Sequence, residues 1–311
     1  AAATASAAPL PASALLATPA ELFEGLRPSA ACIFAVAPEV AARAAVTGAD
    51  SAALDVIGPE DVTFLGSGFA YGSDGFVATC AHLFENRFAD ALFAVRFADG
   101  TWSLAELWGA STAADVAVLR LAGQTSSRKH GQILRLSTEQ GLPRQGDWVV
   151  VLGCTQHGLG TVGVLGVVTQ PHQALHNLAE EAPIHFVQLA LTTLPGMSGS
   201  PVLCLGSCEV VAVLAKKFEE HGLALPAALV ASVAQHLEVG LPWRPPVLGL
   251  ELALGGTLTE PRVIVRSVKR GCAAEAAGVL PGDEVLAVQG RRVSSVLDVR
   301  EVLLSLGGCR A

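Results

Sequence analysis

The segment Leu194–Leu203, LPGMSGSPVL, places a serine in a glycine-rich turn immediately before a short apolar run. Glycines on both sides of Ser198, at Gly196 and Gly199, let the backbone turn tightly without a side-chain clash. Such a turn can direct the amides of Gly196 and Ser198 towards one point, where they would stabilise the negative oxygen that forms during acyl transfer. A serine hydroxyl is a weak nucleophile by itself, so this interpretation requires a general base and an orienting acid elsewhere in the chain.

A candidate base and a candidate acid lie upstream of the serine. His82 ends the sequence TCAH at residues 79–82, and Asp115 opens the apolar sequence DVAVL at residues 115–119. The chain order His82, Asp115, Ser198 is that of the chymotrypsin-type double barrel. Taken singly, each residue would more often be a turn, surface or capping residue, but their joint order and context favour a catalytic triad.

Short apolar segments that alternate with Gly, Pro and Asp turns predict antiparallel β structure over most of the chain. Two successive sets of about six such segments predict two six-stranded β-barrels packed together, with the chemistry at their seam. Thr18–Leu26 predicts a short helix with a threonine cap, and residues 225–234 predict a closing helix. Residues 37–60, which are rich in Ala, Gly, Asp and Pro, predict a long loop.

After the stiff segment Trp243–Pro246 the pattern changes. Strands are predicted at Leu248–Leu252, Arg262–Val268 and Glu284–Val288, and a helix at about Val296–Leu306. The expected organisation is a flexible leader at residues 1–18, the double barrel at 19–241, a linker at 242–246 and a small α+β domain at 247–311.

The composition argues against several classes of protein. The net charge of −8 and the absence of a basic stripe argue against nucleic acid as a partner. The apolar fraction is 51%, but no uninterrupted apolar run reaches the roughly 18 residues of a spanning helix, so no integral membrane segment is expected. The histidines show no ligand spacing such as HExxH, so neither a metal site nor a cofactor is expected.

The seven cysteines are scattered and show no paired metal-ligand spacing. Cys204 and Cys208 could pair across a hairpin. For most of the cysteines, the preferred interpretation is a small buried residue in a reducing compartment. The seven are Cys32, Cys80, Cys154, Cys204, Cys208, Cys272 and Cys309.

Several motifs, in the same order along the chain, resemble those of the HtrA/Deg serine proteases. They are GSGF at 66–69, TCAH at 79–82, DVAVL at 115–119, the glycine-bearing segments 146–153 and 161–166, and PGMSG at 195–199. The segment 271–290, which contains PGD at 281–283, resembles the PDZ domain that follows the barrels in that family. Together the two resemblances cover roughly residues 19–311.

The resemblance implies a serine endopeptidase that cleaves unfolded or damaged proteins. His82 would take the proton from Ser198 and return it to the leaving amine, while Asp115 would hold the imidazole tautomer. Gly196, Met197 and Ser198 would form the oxyanion hole, with the amides of Gly196 and Ser198 as donors.

The resemblance also implies a specificity pocket. Thr192 would lie at its base, and Val213, Leu214 and Ala215 would form one wall. Because no acidic residue is present there, cleavage after Lys or Arg is disfavoured. We therefore expect a preference for small or aliphatic residues immediately before the scissile bond.

In the PDZ-like domain, Leu248, Gly249 and Leu250 would form the loop that receives a peptide C-terminus on backbone amides. The family normally continues into one or two more strands beyond the last helix predicted here. A PDZ-like domain truncated at its C-terminus is therefore expected.

The chain departs from the family at Met197, where Asn is usual, and at Ser200, where a second Gly is usual. These departures keep open an alternative, an HtrA-like pseudoprotease or chaperone that binds peptides without cleaving them. The resemblance further implies a homotrimer, with Phe23 and Phe34 as candidate aromatic contacts. The family occurs in periplasm, mitochondrion and chloroplast, and the cysteine content favours an organelle over an oxidising periplasm.

Overall fold

The structure, a computed structural model, divides into two compact units. One comprises residues 1–173 and 186–242, and the other comprises residues 174–185 and 243–311. The boundary between Pro242 and Trp243 therefore falls within the segment expected to be a linker. The described residues are 18–47, 57–72, 75–85, 91–122, 133–138, 143–155, 158–174, 184–244, 248–257 and 259–305, so the expected leader lies outside them apart from Thr18.

The first barrel is closed by six antiparallel strands in the order β1-β2-β3-β6-β5-β4. Its interior is filled by aromatic and β-branched side chains such as Ile33, Phe93 and Val95, which suit a pleated, buried surface. The strands are β1 (Ala30–Val36), β2 (Val62–Ala70), β3 (Phe76–Thr79), β4 (Leu92–Phe97), β5 (Trp102–Ser111) and β6 (Val116–Leu121).

The second barrel is closed in the order β10-β11-β12-β9-β8-β7. Val149, Val187 and Leu189 are among the side chains that fill its interior. Its strands are β7 (Trp148–Thr155), β8 (Gly158–Ala174), β9 (His185–Ala190), β10 (Pro201–Cys204), β11 (Val210–Phe218) and β12 (His221–Pro226). The prediction of two six-stranded barrels is therefore confirmed.

Within the described residues, three α-helices accompany the barrels: α1 (Pro19–Leu26), α2 (Pro38–Thr47) and α3 (Ala227–Glu238). The two predicted helices, α1 and α3, are confirmed, and a capping box between Thr18 and Glu21 begins α1. The predicted loop at 37–60 is wrong over α2. Proline at the first position, an acidic residue in the first turn and four alanines favour this helix, because alanine has a high helix propensity.

The closing helix α3 spans the two barrels, because it packs on β5 and β6 of the first and on β11 of the second. The indole Nε1 of Trp108 donates a hydrogen bond to the carbonyl of Glu238 at 3.0 Å, which fixes the end of the helix against β5. Within the part of the chain that is described, no helix is both long and apolar enough to cross a membrane.

A disulfide joins Cys32 in β1 to Cys154 in β7, with the two Cα atoms 5.7 Å apart. It links the barrels across 122 residues of sequence. Such a crosslink typically stabilises a fold by about 2–4 kcal/mol. Reduced cysteines were therefore the wrong expectation for this pair, because strands far apart in sequence meet at the seam. The suggested pairing of Cys204 with Cys208 is also wrong, since both are free and buried.

The two aromatic residues suggested for a trimer contact lie in different surroundings. Phe34 is only 5% exposed and its ring packs against Phe64 and Trp102 inside the first barrel unit. The ring of Phe23 lies over Gly163 on the outside of the second barrel, where any Cβ would collide with it. The Phe34 side chain therefore packs within its own chain, and Phe23 remains the candidate for a trimer contact.

The second unit contains two small antiparallel sheets, one of β13 and β14 and the other of β15 and β16. Val263, Val265 and Val299 are buried in it. Its elements are β13 (Leu250–Gly256), β14 (Pro261–Val268), α4 (Ala273–Ala276), β15 (Ala287–Val288), β16 (Arg291–Arg292) and α5 (Val296–Ser305). The predicted strand at Glu284–Val288 is confirmed only at Ala287–Val288, which form β15. Glu284 forms only an isolated bridge to Ile264.

Candidate active site

The candidate nucleophile lies in two consecutive turns that share Met197. The amide of Met197 donates to the carbonyl of Leu194 at 3.1 Å, and the amide of Ser200 donates to the carbonyl of Met197 at 3.0 Å. The third residue of each turn is a glycine with positive φ, +98° at Gly196 and +88° at Gly199. Glycine adopts this conformation without steric cost, which explains the spacing of glycines in the sequence.

The surroundings of both glycines also exclude a side chain. A Cβ at Gly199 would overlap the carbonyl oxygen of Ser67 and the hydroxyl of Thr79. At Gly196 it would press on the ring of Phe64. The turn of the second barrel therefore lies in close contact with strands of the first.

Ser67 connects this turn to both barrels. Its side chain is fully buried, and its hydroxyl donates to the carbonyl of Gly196 at 2.7 Å. The amide of Cys154 donates to the same hydroxyl oxygen at 2.8 Å, and the amide of Ser67 donates to the carbonyl of Ser198 at 2.8 Å. In the sequence, the one signal for this role of Ser67 is its place between the two glycines of the GSGF motif, before a predicted hairpin.

Two amides of the turn are available to a ligand. Among the described residues, no hydrogen bond is donated by the amide of Gly196 or of Ser198, whereas the amide of Met197 closes the first turn. These are the two amides expected to act as oxyanion donors. An unpaired amide near a reacting carbonyl can stabilise the developing negative charge.

The two unusual residues of the turn fit because of Gly153. Met197 is 1% exposed, and its thioether accepts a hydrogen bond from the amide of Leu194 at 3.4 Å. Ser200 is fully buried beside it. A Cβ at Gly153 would collide with the Ser200 hydroxyl and crowd the Met197 side chain, so the glycine on β7 provides their space.

The histidine and the aspartate form a well-defined pair. The His82 Nδ1 atom lies 2.9 Å from Oδ2 and 3.0 Å from Oδ1 of Asp115, and the His82 amide donates to Oδ1 at 2.9 Å. The side chains are 29% and 13% exposed. Because the carboxylate only accepts, Nδ1 carries the proton and Nε2 keeps its lone pair for use as a base.

The backbone of Asp115 is in the left-handed region, with φ of +53°. Its carbonyl accepts a hydrogen bond from the amide of Ala81, next to His82. A non-glycine residue rarely holds this conformation unless its surroundings impose it, and such residues cluster at functional sites. Here the conformation directs both the carbonyl and the carboxylate towards the turn that carries the histidine.

Ser198 and Cys80, which lies two residues before His82, bond to the same strand, β11, from the two barrels. The Ser198 hydroxyl donates to the carbonyl of Ala215 at 3.1 Å, and the thiol of Cys80 donates to the carbonyl of Leu214 at 3.5 Å. Within the described part of the chain, no hydrogen bond joins Ser198 to His82. The hydroxyl must therefore leave the Ala215 carbonyl before it can give its proton to the imidazole.

Cys80 lies beside the histidine and aspartate, and potential ligand atoms of the three residues fall within 4.8 Å of one another. Burial, followed by the charge of Asp115, raises the pKa of the Cys80 thiol well above its usual range. The imidazole and the carboxylate bond to each other, and the thiol donates to the Leu214 carbonyl, so each of the three groups has a partner within the protein.

The expected pocket residues lie in different places. Thr192 is exposed, whereas Val213, Leu214 and Ala215 are at most 2% exposed on β11. The side chain of Leu214 belongs to the interior of the second barrel. A Cβ at the buried Gly222 would contact the side chains of Leu214, Thr193 and Leu191. Thr193 is therefore a further candidate for lining a pocket, beside Thr192.

The expected carboxylate loop lies at the start of β13 in the second unit. Its carbonyls are tied inward, because the amide of Lys269 donates to Gly249 at 2.9 Å and the amide of Ala274 donates to Leu248 at 3.3 Å. Gly249 has φ of +76°, and Leu250 begins the strand. No hydrogen bond within the described residues is donated by the amides of Leu248 and Gly249, so they can receive a ligand.

Comparison with protein families agrees with this architecture. The family model of the trypsin-like peptidase domain matches residues 66–213, and the model of the PDZ domain matches residues 264–309. Residues 66–213 therefore resemble a trypsin-like peptidase domain, and residues 264–309, which follow them, resemble a PDZ domain.

Relatives of this chain include DegP-like serine endoproteases. A DegP-like periplasmic serine endoprotease of Hahella chejuensis is 28% identical over 250 residues, covering 76% of this chain and 50% of the relative. One from Bartonella henselae is 29% identical over 262 residues, covering 78% and 48%. The chain thus resembles the HtrA/Deg serine proteases, and it spans about half the length of these relatives.

Solved structures show the same fold. The HtrA-type protease AlgW with a decapeptide superposes with a TM-score of 0.66 and 20% sequence identity, covering 91% of this chain and 89% of that one. AlgW with a tripeptide gives the same TM-score and 21% identity. The chain therefore shares its fold with these structures.

Replacing Ser67 with alanine should lower both catalysis and stability. The change leaves the Cys154 amide and the Gly196 carbonyl without their partner, and each buried unpaired group costs about 1–3 kcal/mol. We expect kcat for peptide cleavage to fall at least about tenfold, because the oxyanion turn loses its support. Steady-state kinetics and thermal unfolding measure the two effects.

Ser103→Ala is the matched control, because Ser103 is also buried but bonds only to Leu104 and Ala122, on β5 and just after β6. It should lower stability and leave kcat unchanged. Equal kcat values for the Ser67 and Ser103 variants would show that Ser67 does not position the turn.

Proposed function

We propose that this protein is a serine endopeptidase that cleaves unfolded or damaged polypeptides, with residues 19–241 as its protease domain. The supporting observation is that two segments from different barrels bond to β11: the turn of Ser198, with its two unused amides, and the segment of Cys80 that carries the bonded pair His82–Asp115. Neither half of this arrangement is needed to build a barrel. Together they supply the nucleophile, the base and the oxyanion donors of acyl transfer.

The proposed reaction begins when an extended peptide binds beside β11. A substrate amide that donates to the Ala215 carbonyl displaces the Ser198 hydroxyl from it. The hydroxyl then donates to Nε2 of His82, and its oxygen attacks the scissile carbonyl as the imidazole takes the proton. Asp115 stabilises the imidazolium, which afterwards protonates the leaving amine.

The amides of Gly196 and Ser198 would bind the negative oxygen of the tetrahedral intermediate. Losing one such donor typically lowers the rate by about 10²–10³-fold. Water then hydrolyses the acyl-enzyme by the same steps in reverse order. The alternative, a protein that binds peptides without cleaving them, is not favoured, because all three triad residues are present and the relatives are named serine endoproteases.

Other parts of the proposal rest on the second unit and on the cysteines. Residues 247–311 are proposed to bind peptide C-termini through Leu248, Gly249 and Leu250. The disulfide between Cys32 and Cys154 supports a compartment in which disulfides form, and the names of the relatives place those proteins in the periplasm. The organelle suggested by cysteine content gains no support from them.

Ser198→Ala should abolish cleavage of unfolded casein, with kcat reduced by about 10⁶-fold, because the nucleophile is gone. The same variant should not react with a fluorophosphonate probe. Ser207→Ala, an exposed serine in the turn between β10 and β11, is the control and should cleave and label like the parent protein. Casein cleavage that survives Ser198→Ala would contradict the assigned nucleophile.

Cleavage should follow small or aliphatic residues, because neither Thr192 nor Thr193 offers a carboxylate to a cationic side chain. Sequencing the products of a peptide library by mass spectrometry measures this preference. We expect Ala, Val, Ile and Leu immediately before most cleaved bonds. A profile dominated by Arg and Lys would contradict it.

The proposed assembly is a homotrimer, with Phe23 on the outer face of the second barrel as a candidate contact. Sedimentation velocity should show one species with three times the chain mass at micromolar concentration. Phe23→Ala should shift the equilibrium towards smaller species. A monomer across the whole concentration range would refute the trimer.

A further inference from the structure

Strand β11 continues beyond the end of its neighbour β10. The last pair between them joins Pro201 to Val213, yet β11 extends to Phe218. Gly199 and Ser200 still bond to Leu214, and then the chain turns away. From Ala215 onwards, the edge of β11 on the side of the nucleophile carries no strand within the described residues. An extended peptide can add to such an edge by backbone hydrogen bonding.

A bulge in the pairing of β11 with β12 lies beside the candidate nucleophile. In the pairing with β12, Leu214 is opposite Ala224 and Lys216 is opposite Leu223, so Ala215 is the extra residue. Its carbonyl accepts the Ser198 hydroxyl. A peptide that continues the antiparallel pairing of β10 would place its scissile bond here. The residues preceding that bond would then run beside Lys216 and Lys217.

The two lysines stand at the exposed part of this edge. Both are exposed, and neither forms an ion pair with another described residue. Lys216 is near enough to the histidine turn that its charge acts on the Cys80 thiol, lowering its pKa against the larger effect of burial. Such a concentration of positive charge contrasts with a chain of net charge −8.

The acidic residues closest in sequence do not neutralise the lysines. Glu219 and Glu220 form the exposed turn that follows β11, and neither makes an ion pair with Lys216 or Lys217. Asp115 lies on the histidine side and is bonded to the imidazole. The ammonium groups are therefore available to a substrate.

We propose that Lys216 and Lys217 select substrates with acidic side chains at the second and third residues before the scissile bond. The inference rests on the proposed peptidase function and adds a substrate class to it. The residue immediately before the scissile bond would enter the specificity pocket, whereas the second and third residues before the bond would lie along the edge of β11 that carries the lysines. Unfolded segments of the pattern acidic, acidic, aliphatic are the predicted substrates.

Three fluorogenic peptides with one aliphatic residue before the scissile bond test this selection. They differ only at the second and third positions, which are Asp-Asp, Asn-Asn or Lys-Lys. For the parent protein at low salt, kcat/KM should be at least about tenfold higher for Asp-Asp than for Lys-Lys, with Asn-Asn between them. At about 1 M salt the ratio should shrink towards one, because exposed charges are screened within about 3 Å.

Lys216→Glu combined with Lys217→Glu should reverse the order of the three peptides. The control is Arg144→Glu. Arg144 is exposed and lies just before β7, whose first residues pair with the end of β10 that is farther from Ser198. It changes charge in the same direction and should keep the order. The double variant Lys216→Gln, Lys217→Gln removes the positive charges without adding negative ones, and it should bring the three rates within about twofold of one another. Near-ultraviolet circular dichroism checks that each variant is folded.

Equal rates for the three peptides with the parent protein would overturn the proposal. So would an Asp-Asp preference that persists in the glutamate variant, because the selecting charge would then lie elsewhere. If no peptide is cut and Ser198 does not label with fluorophosphonate, the peptidase function fails separately. In that case, fluorescence anisotropy with the Ser198→Ala variant tests the selection of acidic peptides. The labelled Asp-Asp peptide should bind at least about fivefold tighter than the Lys-Lys peptide. Equal binding of the two peptides would refute the selection.

Discussion

The hydrogen bond from the Ser67 hydroxyl to the Gly196 carbonyl holds the nucleophile turn of the second barrel against β2 of the first. A hydrogen bond of this kind contributes only about 0.5–1.5 kcal/mol to stability, but leaving its buried partners unpaired costs more. The hydroxyl also accepts the Cys154 amide, next to the disulfide that joins the barrels. The shape of the oxyanion turn is therefore a property of the barrel interface and not of the turn alone.

This dependence explains which residues the turn tolerates. Gly199 approaches the Ser67 carbonyl and the Thr79 hydroxyl so closely that no side chain fits, and its positive φ adds a second restriction. Met197, in contrast, points into the second barrel, where the bare backbone of Gly153 leaves it room. The residue before the nucleophile can thus change in character when the strand it packs on carries a glycine.

The sequence predicted those features that leave a local or ordered signature. Barrel strands followed from alternating apolar runs, and His82, Asp115 and Ser198 followed from motifs in a recognised order. Features created only by folding escaped prediction. Cys32 and Cys154 are 122 residues apart, so nothing in their spacing indicates that β1 meets β7. The helix α2 was missed because alanine favours a helix yet carries no amphipathic pattern.

The carbonyl of Ala215, at the bulge in β11, is the acceptor for the Ser198 hydroxyl and is also the proposed acceptor for a substrate amide. Because the extra residue is out of register with β12, its carbonyl is left for another donor, and the Ser198 hydroxyl takes it. A substrate backbone that pairs with β11 competes for the same oxygen. In the proposed reaction, binding in the correct register would release the hydroxyl for the imidazole, whereas a peptide that misses this register would leave the Ser198 hydroxyl bonded to Ala215. The same edge can then determine both where a polypeptide is held and when the serine is free to react.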